Sequence, residues 1–442
     1  MGKASRYIVF TLVWLLAVMT SPYAAEYYVS STNFQTSFQA ALTAAAQSSG
    51  DDTIHLPAGA YNLTAMLYYP VENGGAPGSL TIEGPSADNR TSLYGNENFP
   101  LLSIDYWYGY CQGDSCSRPS DENTSLTIKN ITFSNGRRSG SESGDIYAGG
   151  LHITVNYATV LIKDCTFSAN SVYNEGAGGL YVETYHDQSV TIQGCSFVDN
   201  NVEQNSSGRA AAGAYIYGGD FSGQLSVLDN TFERNISYYG EDTNAGGLVI
   251  EWWGNAQISR NRFVGNEAVN NPSSYISGGA YADVYGWIVF EENALIGNIA
   301  PWAGGAYLQS DDNITIARNT FSQNSAANYE GGALIIEGDS INIKDNRFLE
   351  NSAVNGGGAV DLWGHAAIVN NLFYKNFAVD SSPPTENRNG NGGAIFLSLS
   401  YPVNITNNTF VGNRASHKPP PLVVACDYPG TYQRSDEIDA WA

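Results

Sequence analysis

One seven-residue pattern, repeated ten times at short intervals, constrains this chain more than any other feature. The segment NNTFVGN at 407–413 has relatives in DNTFERN, RNRFVGN, RNTFSQN, DNRFLEN and NNLFYKN. The aromatic position falls at Phe133, Phe167, Phe197, Phe232, Phe263, Leu295, Phe321, Phe348, Phe373 and Phe410, at intervals of 25 to 37 residues. Three residues later stands Asn in nine of the ten copies, from Asn170 to Asn413, and two residues earlier stands Asn in seven, from Asn230 to Asn408. Most copies continue to Gly-Gly, as at Gly149-Gly150 and Gly278-Gly279. Between these landmarks the apolar residues alternate (Ile314, Ile316; Ile341, Ile343), the period of a strand. A unit of about 25 residues made of short strands cannot bury its own inner face, so units must stack. A β-propeller blade needs about 40 residues, and Leu does not hold the positions a leucine-rich repeat requires.

The expected fold is therefore all-β: a single-stranded right-handed parallel β-helix, its hand taken from the usual sense of parallel crossovers. Stacked coils place like residues about 4.8 Å apart, giving an inner Phe column and Asn side chains bonded from coil to coil. Gly-Gly is expected to turn the corners at positive φ. Phe34, Phe38, Ala41, Leu42 and Ala45 share one helix face, which predicts an N-terminal capping helix over the open strand edges. Lys3 and Arg6, the apolar run 8–19 and Ala24-Ala25 read as an export signal, an uncleaved anchor being the alternative. The expected divisions are a signal peptide over 1–25, cap and first strand over 26–63, β-helix over 64–415 and an irregular tail over 416–442. No later stretch is apolar enough to span a membrane as a helix.

The formal charge is −23, which disfavours nucleic acid and anionic membranes as partners, both needing basic surface. Export permits disulfides. Cys111 and Cys116 share a short loop (CQGDSC), and Cys165 and Cys195 occupy one ladder position in consecutive coils. The second pair reads either as a bridge or as two inward thiols. Cys426 is left unpaired, and no Cys/His spacing suggests zinc.

Gly-Gly-Ala corners paired with Phe-x-x-Asn resemble the repeats of polymorphic outer membrane proteins and, more widely, the right-handed β-helix family of pectate-lyase-like architecture. Gly392-Gly393-Ala394-Ile395 matches the GGAI form, and the other corners vary its last two residues. The likeness covers about residues 127–413 and, more loosely, 34–63. It implies an exported, cell-surface or extracellular β-helix of adhesin type. Members often precede a C-terminal membrane barrel, which is not expected after these repeats. Lyases and glycosidases of the wider family place their chemistry in residues particular to each, so the fold alone carries no activity.

Function must then lie in outward residues. Counting from Gly-Gly, one outward column reads His152, Tyr181, Tyr215, Val249, Tyr281, Tyr307, Leu334, Val360 and Ile395. The next reads Thr154, Glu183, Tyr217, Glu251, Asp283, Gln309, Ile336, Leu362 and Leu397, with Tyr185, Trp253 and Tyr285 beyond it. The aliphatic end of both columns suggests a cover, a partner or a slipped register. Tyr and Trp beside carboxylates suit a polysaccharide or cell-surface glycan, the rings stacking on sugars and the carboxylates accepting from hydroxyls. A purely structural ladder of strand-favouring Tyr and a surface-protein partner are the other readings. The candidate ligand residues are Tyr181, Tyr185, Tyr215, Tyr217, Trp253, Tyr281, Tyr285 and Tyr307. The candidate catalytic residues, for a glycoside hydrolase or lyase, are Glu183, Glu251 and Asp283. Glu251 and Asp283, one coil apart, suit a retaining glycosidase pair or half of a calcium site. No basic residue joins the stripe, which disfavours a lyase for acidic polysaccharide.

Overall fold

The computed structural model describes residues 24–69, 78–107, 110–112, 115–117, 124–139, 146–156, 158–185, 189–203, 208–220, 222–238, 244–269, 276–354, 356–379, 392–398 and 402–416. Nearly all of the expected leader, the tail beyond Ser416, and Cys426 lie outside the described residues. One coil runs Leu180–Thr184, Val190–Gln193, Ser196–Val198, Asn201–Val202 and Ala210–Ala211, then reaches Ala214–Gly218 directly over its own start. The stacking is parallel and in register: Leu180–Thr184 pairs with Ala214–Gly218, which pairs with Leu248–Trp252 and then Ala280–Val284. Repetition of this path builds sheets of 21, 12 and 10 strands along the molecule. The chain is a parallel β-helix, and its described helix content is one helix, Phe34–Ala46.

The interior explains the sequence repeat. Phe133, Phe167, Phe197, Phe232 and Phe263 stack with ring centroids 4.6–5.1 Å apart and planes within 6°. Leu295 interrupts the stack, and Phe321, Phe348, Phe373 and Phe410 resume it. Each fully buried ring contributes about 1.5–3 kcal/mol by leaving water. The two Asn positions form two ladders. Asn200 donates its backbone N–H and its Nδ2 to Asn235 Oδ1 (3.1 and 2.9 Å) and its Nδ2 to Phe167 O (2.9 Å). Asn235, Asn266, Asn298, Asn324 and Asn351 repeat the arrangement, and the second ladder does so from Asn230 to Asn371.

Cys165 and Cys195 continue that second ladder as free, buried thiols, not as a bridge. Cys195 Sγ accepts from Cys165 N–H at 3.4 Å and donates to Ile162 O at 3.6 Å, the roles Asn Oδ1 and Nδ2 play below it. Cys111 and Cys116 face each other across a short antiparallel hairpin, Tyr110–Gln112 with Ser115–Ser117. Their side chains lie outside the described set.

Two expectations are corrected here. Apart from Gly331 (φ 67°), the Gly-Gly corners do not supply positive φ. The left-handed residues stand just ahead of the ladder Asn and are mostly not Gly: Asp199, Asp229, Arg234, Arg260, Arg318 and Asp345 all have φ of 52–58°. The corner glycines answer a different demand, close approach. A Cβ on Gly179 would stand 2.5 Å from Gly213 O, and one on Gly247 2.3 Å from Gly279 O.

The second correction is a register slip. Leu334, Val360 and Ile395 are inward, pairing in line with Ala306, and Ile336, Leu362 and Leu397 are inward likewise. In these last coils Ala333, Ala359 and Ala394 take the second glycine's place, so counting from Gly-Gly lands one residue early. The outward columns truly continue as Ile335, Asp361 and Phe396, and as Glu337 and Trp363.

The helix Phe34–Ala46 buries Phe34, Phe38, Ala41, Leu42 and Ala45, the face the sequence presents. Its solvent side contributes too. Gln35 bonds Thr64 N (2.8 Å) and Ala65 O (2.9 Å), and Gln39 bonds Tyr68 N (3.0 Å) and Tyr68 O (2.7 Å). These amides satisfy strand-edge groups that would otherwise lack a partner.

Candidate functional site

The first outward column is not a surface. Tyr281 and Tyr307 stack at 5.2 Å and are 3% and 1% exposed, inside a second apolar cluster with Val249 and Ile335. Short strands just ahead of the corners, Gly176–Ala177, Ala210–Ala211, Asn244–Ala245 and Ile276–Ser277, pair into a roof that Ser277 extends by a bridge to Ala303, and Ala177, Ala211, Ala245 and Ala303 join the cluster. Tyr281 and Tyr307, expected to meet a ligand, are instead enclosed within that cluster. The signal was present in the chain, since Ala or Ser directly precedes Gly-Gly at Ala148, Ala177, Ala245, Ser277 and Ala303. A small residue there lets the roof lie flat on the rings.

Over the earlier coils the roof parts into a groove of about 670 Å³. Tyr181 and Tyr215 reach it with little of their surface, 7% and 4% exposed. One wall is the second outward column, Asp105, Thr154, Glu183 and Tyr217, whose backbones are stacked in register. Tyr68 and Tyr185 flank it, and the opposing side includes Tyr147, Glu175 and Arg209 from the segments that lead to the corners. Tyr68 Oη donates to Asp105 Oδ2 (2.8 Å) and Tyr185 Oη donates to Glu183 Oε1 (2.7 Å), so each carboxylate is held by a phenol. The Tyr68 phenol is pushed up to about 12 by burial and then by Asp105, which keeps it a donor. Burial first, and then Glu183 and Glu251 respectively, also push the Tyr181 and Tyr215 phenols far up.

His152 is structural. Its Nδ1 accepts from Tyr147 N–H (2.8 Å), which makes Nε2 the protonated nitrogen facing Thr154 Oγ1 (2.8 Å). Burial, helped by Arg138, lowers its pKa to about 3, so the ring stays neutral and fixes the Thr154 hydroxyl between Asp105 and Glu183.

Arg209 is the largest departure from expectation, because a basic residue does join the stripe. It forms an ion pair with Glu251 beside Tyr215. Glu251 is 9% exposed and committed to that pair, so it does not act with Asp283 as two free carboxylates. Asp283, the register partner of Glu251, is half-buried and outside the groove lining; burial and then Asp311 raise its pKa. Among the described residues no group of three or more His, Cys, Asp or Glu gathers for a metal ion, and none of these types joins Glu251 and Asp283 as a third ligand. Of the three catalytic candidates, only Glu183 lines the groove.

Sequence reasoning missed Tyr68, Asp105, Glu175 and Arg209. Tyr68 and Asp105 lie in coils ahead of the first repeat, where Leu93 stands at the Phe position. Glu175 and Arg209 lie in the segments of variable length that carry no repeat apart from the small residue before the corner. The rings beyond the groove are more open. Tyr217 and Trp253 meet edge to face at 5.2 Å, Trp253 and Tyr285 stack at 6.1 Å, and Tyr285 is 48% exposed. Further along, Asp361 is fully buried, accepts from Trp363 Nε1 (2.8 Å) and faces the Glu330 carboxyl. Burial and then Glu330 hold its pKa well above the carboxylate range.

Residues 111–263 match the family model of a right handed beta helix region. A comparison with curated protein sequences found no match. Among solved structures, the chain is similar to a mannuronic-acid-specific polysaccharide family 6 lyase from human gut microbiota, at 12% identity over 86% of this chain and 83% of that one, TM-score 0.39. It is also similar to tailspike protein 3 of bacteriophage CBA120, at 12% identity over 88% of this chain and 60% of that one, TM-score 0.36. The ORF18 protein of Geobacillus virus E2 is similar too, at 12% identity over 89% and 61%, TM-score 0.32.

Proposed function

We propose that this right-handed β-helix is an exported, adhesin-like protein that binds a polysaccharide chain along its outer face without cleaving it. The observation that carries the reading is a groove lined by Tyr185 and Tyr217 and continued on the next coils by the half-buried ring of Trp253 and the exposed ring of Tyr285. Rings on successive coils suit a ligand that is itself extended and repetitive. Carboxylates already held by phenols can accept from sugar hydroxyls at little ordering cost, because they are preorganised. In the same reading, the helix Phe34–Ala46 is the plug of the N-terminal end.

A second reading is hydrolysis, and the spacing of Asp105 and Glu183 favours it. They stand two register steps apart across Thr154, about 10 Å between backbones at 4.8 Å per step. Inverting glycosidases hold their two carboxyls about 6.5–9.5 Å apart, with room for water.

The test is binding of soluble polysaccharides by affinity electrophoresis, with product release assayed on the same mixtures. Tyr185→Ala with Tyr217→Ala should weaken binding at least tenfold, leaving the melting temperature within a few degrees. Binding that survives this double variant refutes the groove. Product release that disappears in Glu183→Gln or Asp105→Asn replaces the binding reading with the hydrolase.

A further inference from the structure

The charge of the groove says which kind of glycan it takes. Three carboxylates, Asp105, Glu175 and Glu183, line it against one described cation, Arg209. That guanidinium is already matched by Glu251. The phenols of Tyr68 and Tyr185 orient two of the carboxylates but remove no charge, since a hydrogen bond to a neutral donor leaves the anion an anion. The groove is therefore a concave anionic surface on a chain of formal charge −23. Concave walls of one sign focus the field and concentrate ligands of the opposite sign. An acidic polysaccharide brings a like charge on every residue and must overcome that field. An ammonium group gains twice, from the carboxylates and from the faces of Tyr185 and Tyr217, which attract cations.

Resting on the groove reading, we infer that the ligand is an amino-bearing glycan, a chain of sugars with protonated amines, taken in preference to neutral and acidic chains. Arg209 then serves the wall, not the ligand: through Glu251 it keeps the roof segment in place while leaving the groove negative.

Isothermal titration of the intact protein with four hexasaccharides of one linkage tests this: glucosamine, N-acetylglucosamine, glucose and glucuronic acid. The glucosamine hexamer should bind at least tenfold tighter than the glucose hexamer, and the glucuronic acid hexamer more weakly than either. Raising salt from 50 mM to 500 mM should remove most of the preference, because screening shortens the reach of surface charge. Glu175→Gln should narrow the glucosamine-to-glucose ratio severalfold. Equal affinities, or tightest binding of the acidic hexamer, would overturn the amino-glycan inference while leaving a glycan groove intact. A ratio unmoved by Glu175→Gln and by salt would also overturn it. If no hexamer and no longer polymer binds, the groove reading itself falls.

Discussion

The inner ladders and the groove are built on the same coils but obey opposite rules. Inside, one residue type recurs at one position: Phe on Phe and Asn on Asn, each copy bonded or stacked to the next. On the groove wall the register is equally strict, yet Asp105, Thr154, Glu183 and Tyr217 follow one another with no repetition. The difference teaches where to look in a solenoid. A position that repeats is answering to its own copies, and a position that varies within a strict register is free to answer to something outside the stack.

Breaking a rung of the inner ladder should give the largest effect. In Asn298→Ala, Asn266 loses the acceptor for both its N–H and its Nδ2, and Phe263 O loses its side-chain donor. With buried orphans costing about 1–3 kcal/mol each, a loss of roughly 3–5 kcal/mol is expected, read as a fall in the urea midpoint. Glycan binding at the distant groove should be unchanged in the fraction that remains folded.

A smaller effect, with a sign set by pH, is expected at Asp361, where the outward column is fully covered. Its folded pKa is raised, so the stability it contributes is fully present below the unfolded carboxylate value and is lost as pH rises through the folded one. Asp361→Asn should therefore raise the melting temperature at pH 7–8 and leave it nearly unchanged near pH 3.5. A gain that persists undiminished at acid pH would contradict the buried-carboxyl account.

The finest comparison is within a ladder. Cys165 and Cys195 fill Asn places with a weaker donor and acceptor, so Cys165→Asn with Cys195→Asn should be tolerated and stabilise by about 0.5–1 kcal/mol. Chemical denaturation under reducing conditions checks this. A marked loss would mean that the first coils cannot accept the Asn geometry.

The same contrast explains what could be read from the chain. The Phe and Asn positions were legible because stacking demands the same residue at each level, and the helix face at Phe34, Phe38 and Leu42 because burial selects one side. Gly-Gly was visible but its reason was not: both close approach and positive φ call for glycine, and only coordinates show that Gly179 lies under Gly213 O while Asp199 and Arg234 take the left-handed turns. The slip at Leu334, Val360 and Ile395 arose because Ala333, Ala359 and Ala394 mimic the inward Ala280 and Ala306 of earlier coils. The roof over Tyr281 and Tyr307, and the arrival of Arg209 and Glu175, depend on segments whose length varies from coil to coil. Apart from the small residue before each corner, such segments carry no period to read.

The rung-to-rung bonding of the Asn ladders has a mechanical consequence. Load applied along the chain from its ends meets one coil at a time, and each coil is held by the same few bonds to its neighbour. Yielding should be stepwise, each step freeing a repeat of some 30 residues, or roughly 100 Å of extended chain. A protein tethering a glycan under flow would then lengthen in increments, absorbing work while the coils beyond the break stay wound.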